Sequence, residues 1–296
     1  MSVPHPIPYQ GSKRQIADII VNYFPPNAER LIEPFAGSAA VALYAASQKK
    51  IQKMILNDIN QPLMALWEMI IQQPRKLADQ YETLWNMQQG RERRFYDLVR
   101  ARFNRTHHPY YLLYLLARCV KASVRYNARG EFNQSPDNRR KGRNPKTMRQ
   151  DIEHASVLLR EVDLVSEDYR KILAKATSSD ILYLDPPYQG VSEHRDPRYL
   201  QSVTFEGLTD ALIDLNERDI PYILSYDGKT GAKQHGEPLP TSLELTHIEI
   251  DAGRSSQATL LGLKINTYES LYISPALGSR LRDSATVLQP QQLALF

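Results

Sequence analysis

Ile181-Leu182-Tyr183-Leu184-Asp185-Pro186-Pro187-Tyr188 joins a short apolar run to an abrupt stop. The run follows Ser178-Ser179-Asp180 and reads as a buried parallel strand. Two successive prolines lack the N–H groups a ladder needs, so the strand ends in a rigid turn. Open α/β sheets place their ligands at the carboxyl ends of their strands. This turn offers a carboxylate (Asp185), the Pro186 carbonyl, the rigid Pro187 and the Tyr188 ring. A Pro-Pro pair alone would be an ordinary strand ending. An acid, two prolines and an aromatic after an apolar run point to a site.

Those groups suit one kind of chemistry. An exocyclic amine on a nucleobase is a poor nucleophile, because its lone pair is delocalised into the ring. Acceptors on both N–H groups favour a pyramidal nitrogen and free the pair. Asp185 and the Pro186 carbonyl are such acceptors, and Tyr188 can stack on a base drawn out of a duplex. The turn then needs a methyl donor, bound elsewhere in the chain.

The donor site is sought upstream. Leu31-Ile32-Glu33-Pro34-Phe35-Ala36-Gly37-Ser38-Ala39-Ala40 is a short strand, a Gly-containing turn and the start of a helix expected over Ala39 to Ser47. Gly37 permits close backbone approach, and a helix N-terminus supplies free N–H groups. Ala39 stands where the fullest fingerprint has a second glycine. Met54-Ile55-Leu56-Asn57-Asp58-Ile59-Asn60 reads as a second strand ending in an acid, Asp58, at the offset where a carboxylate commonly binds ribose hydroxyls. Asn60 before Pro62 also reads as a helix N-cap. Nearer the start, Pro8-Tyr9-Gln10-Gly11-Ser12-Lys13 is a polar turn before a helix expected from Arg14 to Tyr23. Lys13 there is either solvated or helps hold a carboxylate, with Tyr9 packed on a ligand.

The chain has 296 residues, 42% hydrophobic and 24% charged, with a formal charge of +4. That supports one large domain, or a domain with an insertion, and a mild affinity for polyanions. The lone cysteine, Cys119, excludes an internal disulfide and a cysteine-rich zinc site, and reads as a buried apolar side chain. No apolar run reaches membrane-spanning length and no signal peptide opens the chain, so a cytosolic protein without membrane contact is expected.

From Pro62 to about Val165 the texture is helical. Leu63, Leu66, Trp67, Ile70 and Ile71 share a face, as do Leu77, Tyr81 and Leu84, then Phe95, Leu98, Val99 and Phe103, then Leu112, Leu115, Leu116 and Cys119. Gly90 marks a break. The pattern then gives way to Arg125-Tyr126-Asn127-Ala128-Arg129-Gly130-Glu131-Phe132-Asn133 and to Asp137-Asn138-Arg139-Arg140-Lys141-Gly142-Arg143-Asn144-Pro145-Lys146. Arg and Asn can read base edges bidentately, and Lys and Arg neutralise phosphates. Arg125, Asn127 and Arg129, then Arg139, Arg140 and Lys141, are the candidate DNA contacts. On their own, residues 139–146 read as a solvated loop; the aromatic and amide groups just before them turn the reading to nucleic acid.

After the Asp185 turn, Gln189 to Phe205 reads as a polar loop that could cover the site. A helix is expected from Leu208 to Arg218, and strands at Pro221 to Gly228, Leu243 to Ile250, Leu260 to Ile265 and Tyr268 to Ser274. The sum is a largely parallel sheet with an antiparallel end. From Pro275 no helical or strand period is evident.

Taken together, these residues resemble the Dam-type, class-alpha DNA adenine methyltransferases over about residues 7 to 274. Residues 8–13 resemble the family's N-terminal cofactor motif, Glu33-Pro34-Phe35-Ala36-Gly37 its motif I, and Asn57-Asp58-Ile59-Asn60 the acidic end of its second strand. Asp185-Pro186-Pro187-Tyr188 is its motif IV, and residues 125–133 are similar to its hallmark in the recognition region. The resemblance implies a Rossmann-like α/β sheet dependent on S-adenosylmethionine, formed by residues 1–61 and 166–275, with a helical target-recognition insert at 62–165. It implies methyl transfer to adenine N6 in double-stranded DNA by a monomer that needs no metal. Cofactor contacts would come from Tyr9, Lys13, Glu33, Pro34, Phe35, Gly37, Asp58 and Asp185, and Arg125 would read a base. The chain has Val120-Lys121-Ala122 where GATC-specific members have Tyr-Asn-Gly, and Ser135-Pro136-Asp137 where they have Pro-Phe-Gly. Those departures leave the catalytic likeness intact and weigh against a GATC target. Cytosine N4, an RNA amine, or DNA binding without turnover are the alternatives.

The last segment, 276–296, lies outside that resemblance. Its Gln292-Leu293-Ala294-Leu295-Phe296 looks like the peptide by which bacterial replication and repair proteins bind the sliding clamp. Leu295 and Phe296 would enter an apolar pocket while Gln292 hydrogen-bonds at a second subsite. The alternative is that Leu293, Leu295 and Phe296 fold back on this protein.

Overall fold

The computed structural model describes residues 2–187, 203–230, 233–235, 237–254 and 266–285. Its centre is one sheet. Strands β1 (Arg30–Glu33), β2 (Lys53–Asn57), β3 (Val162–Val165), β4 (Asp180–Leu184), β5 (Tyr222–Thr230), β7 (Thr246–Arg254) and β8 (Asn266–Ile273) lie in the order β3-β2-β1-β4-β5-β8-β7, and the short β6 (Lys233–His235) pairs with β5. The β3-β2-β1-β4-β5 part is parallel, and β8 and β7 are antiparallel. The chain runs outward from β1 through β2 to β3, then crosses to β4 on the other side of β1. The order therefore reverses between β1 and β4, and the ends of these two strands flank the crevice where such sheets bind ligands. At their opposite ends Arg30 clamps Asp180 bidentately at 2.9 and 2.8 Å, and Asp180 is 2% exposed.

Every residue of β4 is buried, as expected of a strand covered on both faces. Its side chains alternate between two cores. Ile181 and Tyr183 join α1 (Ala17–Asn22) and α2 (Ala40–Ser47), while Leu182 and Leu184 join α8 (Tyr169–Leu173) and α9 (Phe205–Glu217). The helices α3 (Gln61–Gln72), α4 (Pro74–Met87), α5 (Glu92–Thr106), α6 (Pro109–Arg118) and α7 (Pro145–Leu158) share the first of these cores with α1, α2 and the sheet. Gly90 sits in the α4–α5 turn at φ +75°. The helical faces are buried as the spacing predicts, except that Leu98 is exposed and Ile71 half-buried.

Several expectations need correction. Val162–Val165 is not helical but the outer parallel strand β3, only partly buried. The segment after Pro275 is not featureless: Pro275–Ala285 is a helix, α10. Ser274 Oγ accepts the Leu277 N–H at 3.2 Å, Pro275 follows it, and Leu277 is fully buried. Ser-Pro at a helix start is itself a readable signal. Leu243 ends a 3₁₀ turn, so β7 starts at Thr246. Helix α9 starts at Phe205, where Thr204 accepts the Gly207 N–H at 3.0 Å. The strand expected over 260–265, most of the loop expected over 189–205, and residues 292–296 lie outside the described residues.

Candidate active site

Both loop ends at the switch point carry the residues singled out from sequence. Gly37, at φ +49°, faces the Tyr9 ring so closely that a Cβ would lie 3.2 Å from it. A side chain there meets both a backbone penalty and a clash. The Gly37 carbonyl accepts from Trp67 Nε1 at 3.0 Å, and Ser38 Oγ donates to Ser12 Oγ at 2.8 Å. The N-terminal turn and the turn after β1 thus form one wall.

Asp58, at the end of β2, accepts the Gly37 N–H on Oδ2 at 3.1 Å and the Asn60 N–H on Oδ1 at 2.9 Å. Burial raises its pKa and those two N–H groups oppose the rise. Each oxygen keeps a lone pair for a hydroxyl. Beside it, buried Asn57 donates to the Pro34 and Glu167 carbonyls at 2.9 and 3.0 Å and accepts the Glu167 N–H at 2.8 Å. It ties β2 to the motif turn. Phe35 packs on Tyr169 at 5.1 Å between ring centroids.

Lys13, 6% exposed, is neither solvated nor remote. Its ammonium lies 3.0 Å from Asp185 Oδ1 and 3.6 Å from Glu269 Oε2. Burial raises the Asp185 pKa, Lys13 lowers it and Glu269 raises it. Glu269, on β8, had no sequence signal, since nothing local to it resembles a motif. Lys13 is thus shared between two carboxylates. Pro186 is buried and Pro187 half-buried. Tyr188 lies outside the described residues.

Glu33 is placed differently from a ligand contact. It is 2% exposed, and its Oε1 accepts the Ala42 N–H of α2 at 2.7 Å. Burial, less the help of that N–H and with the added repulsion of Asp185, pushes its pKa up to about 8. The stability that comes from holding this proton is fully present below the ordinary carboxylate value and is lost as pH rises through about 8. The slope within that window reaches about 1.4 kcal/mol per pH unit. Glu33→Gln keeps the acceptor without the charge. Its melting temperature should gain on the wild type as pH rises from 5 to 8.5; a constant difference across that range would show that Glu33 does not titrate there.

The recognition segment is a tight turn. Asn133 N–H donates to the Arg125 carbonyl at 3.0 Å and Asn127 N–H to the Glu131 carbonyl at 2.9 Å. Asn127 braces it: Oδ1 accepts from the Arg129 and Glu131 N–H groups at 2.9 and 3.0 Å, and Nδ2 donates to Glu131 at 2.7 Å. Arg129 lies 3.3 Å from Glu131. Arg125 is exposed and has no side-chain partner among the described residues. In the following loop, Arg139 grips buried Asp137 at 3.0 and 3.1 Å, and Arg140 lies 3.5 Å from it. Gln88 and Tyr81 hold the Lys141 and Arg143 carbonyls at 2.8 and 2.7 Å. Lys141 lies 3.8 Å from Glu92 and stays mostly exposed. The loop is therefore pinned from beneath, with its cations outward.

A Rossmann-like sheet with a strand-ending Asp-Pro-Pro turn opposite a Gly-turn and a ribose-type acid defines an S-adenosylmethionine-type amino-methyltransferase fold. The family model for D12 class N6 adenine-specific DNA methyltransferases matches residues 9–235, and the chain belongs to that family. It is 27% identical over 210 residues to the type II methyltransferase M.MjaIII of Methanocaldococcus jannaschii, covering 65% of this chain and 72% of that protein. It is 32% identical over 188 residues to a DNA adenine methylase of Serratia marcescens, covering 62% and 66%. With the DNA adenine methylase of Escherichia coli it shares 27% over 226 residues, covering 73% and 78%. Among the amines that the turn could serve, the family's is adenine N6. No helix among the described residues is long and apolar enough to cross a membrane.

Proposed function

We propose that this chain methylates N6 of an adenine flipped out of double-stranded DNA, and that its recognition turn reads a site other than GATC. The observation that carries the reading is the switch point, where Asp185, held by Lys13 at 3.0 Å, follows β4 and the Gly37–Asp58 pair follows the adjacent β1 and its neighbour β2. S-adenosylmethionine, when bound, supplies a methyl already activated on its sulfonium. Asp58 would take its ribose hydroxyls, Gly37 its close backbone approach, and the Asp185–Glu269 pair its positive charge. Asp185 and the Pro186 carbonyl would then accept the two N–H groups of the adenine amine, turning its lone pair out of the ring toward the methyl carbon; as the N–C bond forms, the S–methyl bond would break, S-adenosylhomocysteine would leave, and the amine would shed one proton through Asp185 to water. Positioning supplies most of the rest. Tyr188 would stack on the extruded base. A labelled-methyl assay on unmethylated DNA, with nucleoside analysis, tests this. The expected product is N6-methyladenine; N4-methylcytosine alone, label in RNA alone, or no incorporation would each overturn the reading.

Arg125→Ala should relax discrimination at one base pair by about 1–3 kcal/mol. By contrast, Arg140→Ala and Lys141→Ala should weaken all duplexes alike and lower the salt slope by about 0.9 for each phosphate no longer neutralised. Methylation profiles across random-sequence duplexes separate the two classes. An unchanged profile for Arg125→Ala would remove it as the base reader.

The terminal Gln292-Leu293-Ala294-Leu295-Phe296 is read as a sliding-clamp peptide carried beyond α10. It would raise the enzyme's local concentration on newly replicated DNA. Truncation after Pro290 should abolish binding to purified bacterial clamp and leave methylation of short free duplexes intact. Equal binding by both forms, or by neither, removes the peptide's role.

A further inference from the structure

The recognition turn reaches the cofactor side of the molecule through a buried hydrogen bond. Tyr126 donates its hydroxyl to Asn60 Oδ1 at 3.1 Å, and both residues are 5% exposed. The bond spans 66 positions of the chain. Asn60 stands just before α3, where an asparagine ordinarily caps the helix with its side chain. Its backbone carbonyl does accept the Leu63 and Met64 N–H groups, but its side chain makes no cap. The amide oxygen serves Tyr126 instead.

On its other side Asn60 is joined directly to the cofactor wall. Its N–H holds Asp58 Oδ1 at 2.9 Å, and Asp58 Oδ2 holds the Gly37 N–H at 3.1 Å. A continuous line of hydrogen bonds therefore runs Tyr126–Asn60–Asp58–Gly37. Tyr126 is also the immediate neighbour of exposed Arg125. Extended backbone sends successive side chains to opposite sides, so any displacement of the backbone as Arg125 seats on a base is felt directly at the Tyr126–Asn60 bond. Tyr126 is held there by Phe132, edge-on at 6.0 Å, which in turn meets Phe103 at 5.9 Å. A second tie supports the same link, since the Gln10 N–H donates to the Ala122 carbonyl at 3.1 Å.

We propose that the Tyr126–Asn60 hydrogen bond couples DNA recognition to cofactor binding: a duplex that seats the recognition turn fixes Asp58 in the orientation that holds the cofactor. Tyr126 and Asn60 are positioning residues in this device. It rests on the methyltransferase reading of the two sites it joins. Coupling of this kind is reciprocal, so the cofactor tightens the duplex by the same factor.

The test measures the affinity of the full chain for S-adenosylhomocysteine, the unreactive demethylated product, with and without saturating unmethylated plasmid DNA. In the wild type, DNA should tighten that affinity by about fivefold or more. In Tyr126→Phe the factor should drop below about twofold, while affinity for the nucleoside alone changes little. Asn60→Ala should lose the factor equally, and the double variant should lose no more, because both act through one bond. A wild-type factor of one, or a full factor retained in either single variant, overturns the proposal. If Tyr126→Phe melts out, Asn60→Ala decides alone. A wild type that binds neither probe would instead remove the methyltransferase reading and the proposal with it, so the two failures are told apart.

Discussion

Asp185→Ala should lower the single-turnover rate of methyl transfer by about a thousandfold, the scale lost when a preorganised electrostatic partner is deleted from an active site. The carboxylate sits at the end of β4 with the Lys13 ammonium at 3.0 Å. Deleting it removes the proposed charged acceptor for the amine and takes from Lys13 the nearer of its two carboxylates, leaving Glu269 at 3.6 Å. Asp185→Asn preserves the volume and isolates the charge. It should also be severely impaired, because an amide is a weaker acceptor and can turn an N–H toward the amine. Product release does not obscure the result if the DNA-bound enzyme is mixed rapidly with labelled cofactor. An alanine variant turning over within a factor of about ten of wild type would contradict the acceptor role.

Lys13→Met should have the second-largest effect, and its signature lies in pH. Removing one member of a buried ion pair costs about 3–5 kcal/mol, and here it leaves Asp185 and Glu269 without the cation they share. Burial and Glu269 already raise the Asp185 pKa, and Lys13 opposes them. Without Lys13 the pKa rises further, so Asp185 takes a proton at higher pH and the acid limb of the rate profile moves upward. Glu269→Gln removes the repulsion instead, and the limb should move down. The stability deficit of Lys13→Met should be small in acid, where Asp185 is protonated, and grow with pH. Limbs that shift in the same direction in the two variants would refute this account of Asp185.

What was legible in the sequence was local. Asp185-Pro186-Pro187 and Gly37 announce themselves, because two missing N–H groups and a positive φ leave few alternatives. The periodic faces of α3 to α6 were equally plain. Val162–Val165 was not, because four half-buried residues at a sheet edge carry almost no alternation. Glu269 was invisible for a different reason: its meaning is a distance to Lys13, near the other end of the chain. Asn60 and Asn127 do more than their local sequence announced. Asn60 stands at the cap position of α3 as read, but its side chain serves Tyr126, and Asn127, read as a DNA contact, also braces its own turn.

The shared core has a consequence for building hybrids. Helices α3 to α7 pack on the same apolar cluster as α1, α2 and one face of the sheet, so residues 62–165 are not a cassette. A chimera cut at those boundaries would open that shared cluster. The transplantable unit is smaller, the turn from Arg125 to Asn133, whose ends are tied by the Arg125–Asn133 bond and whose outward side chains do not touch the core. On the proposed reading of Arg125, new target sequences would be reached by grafting that turn, with Tyr126 and Phe132 retained, rather than by exchanging whole domains.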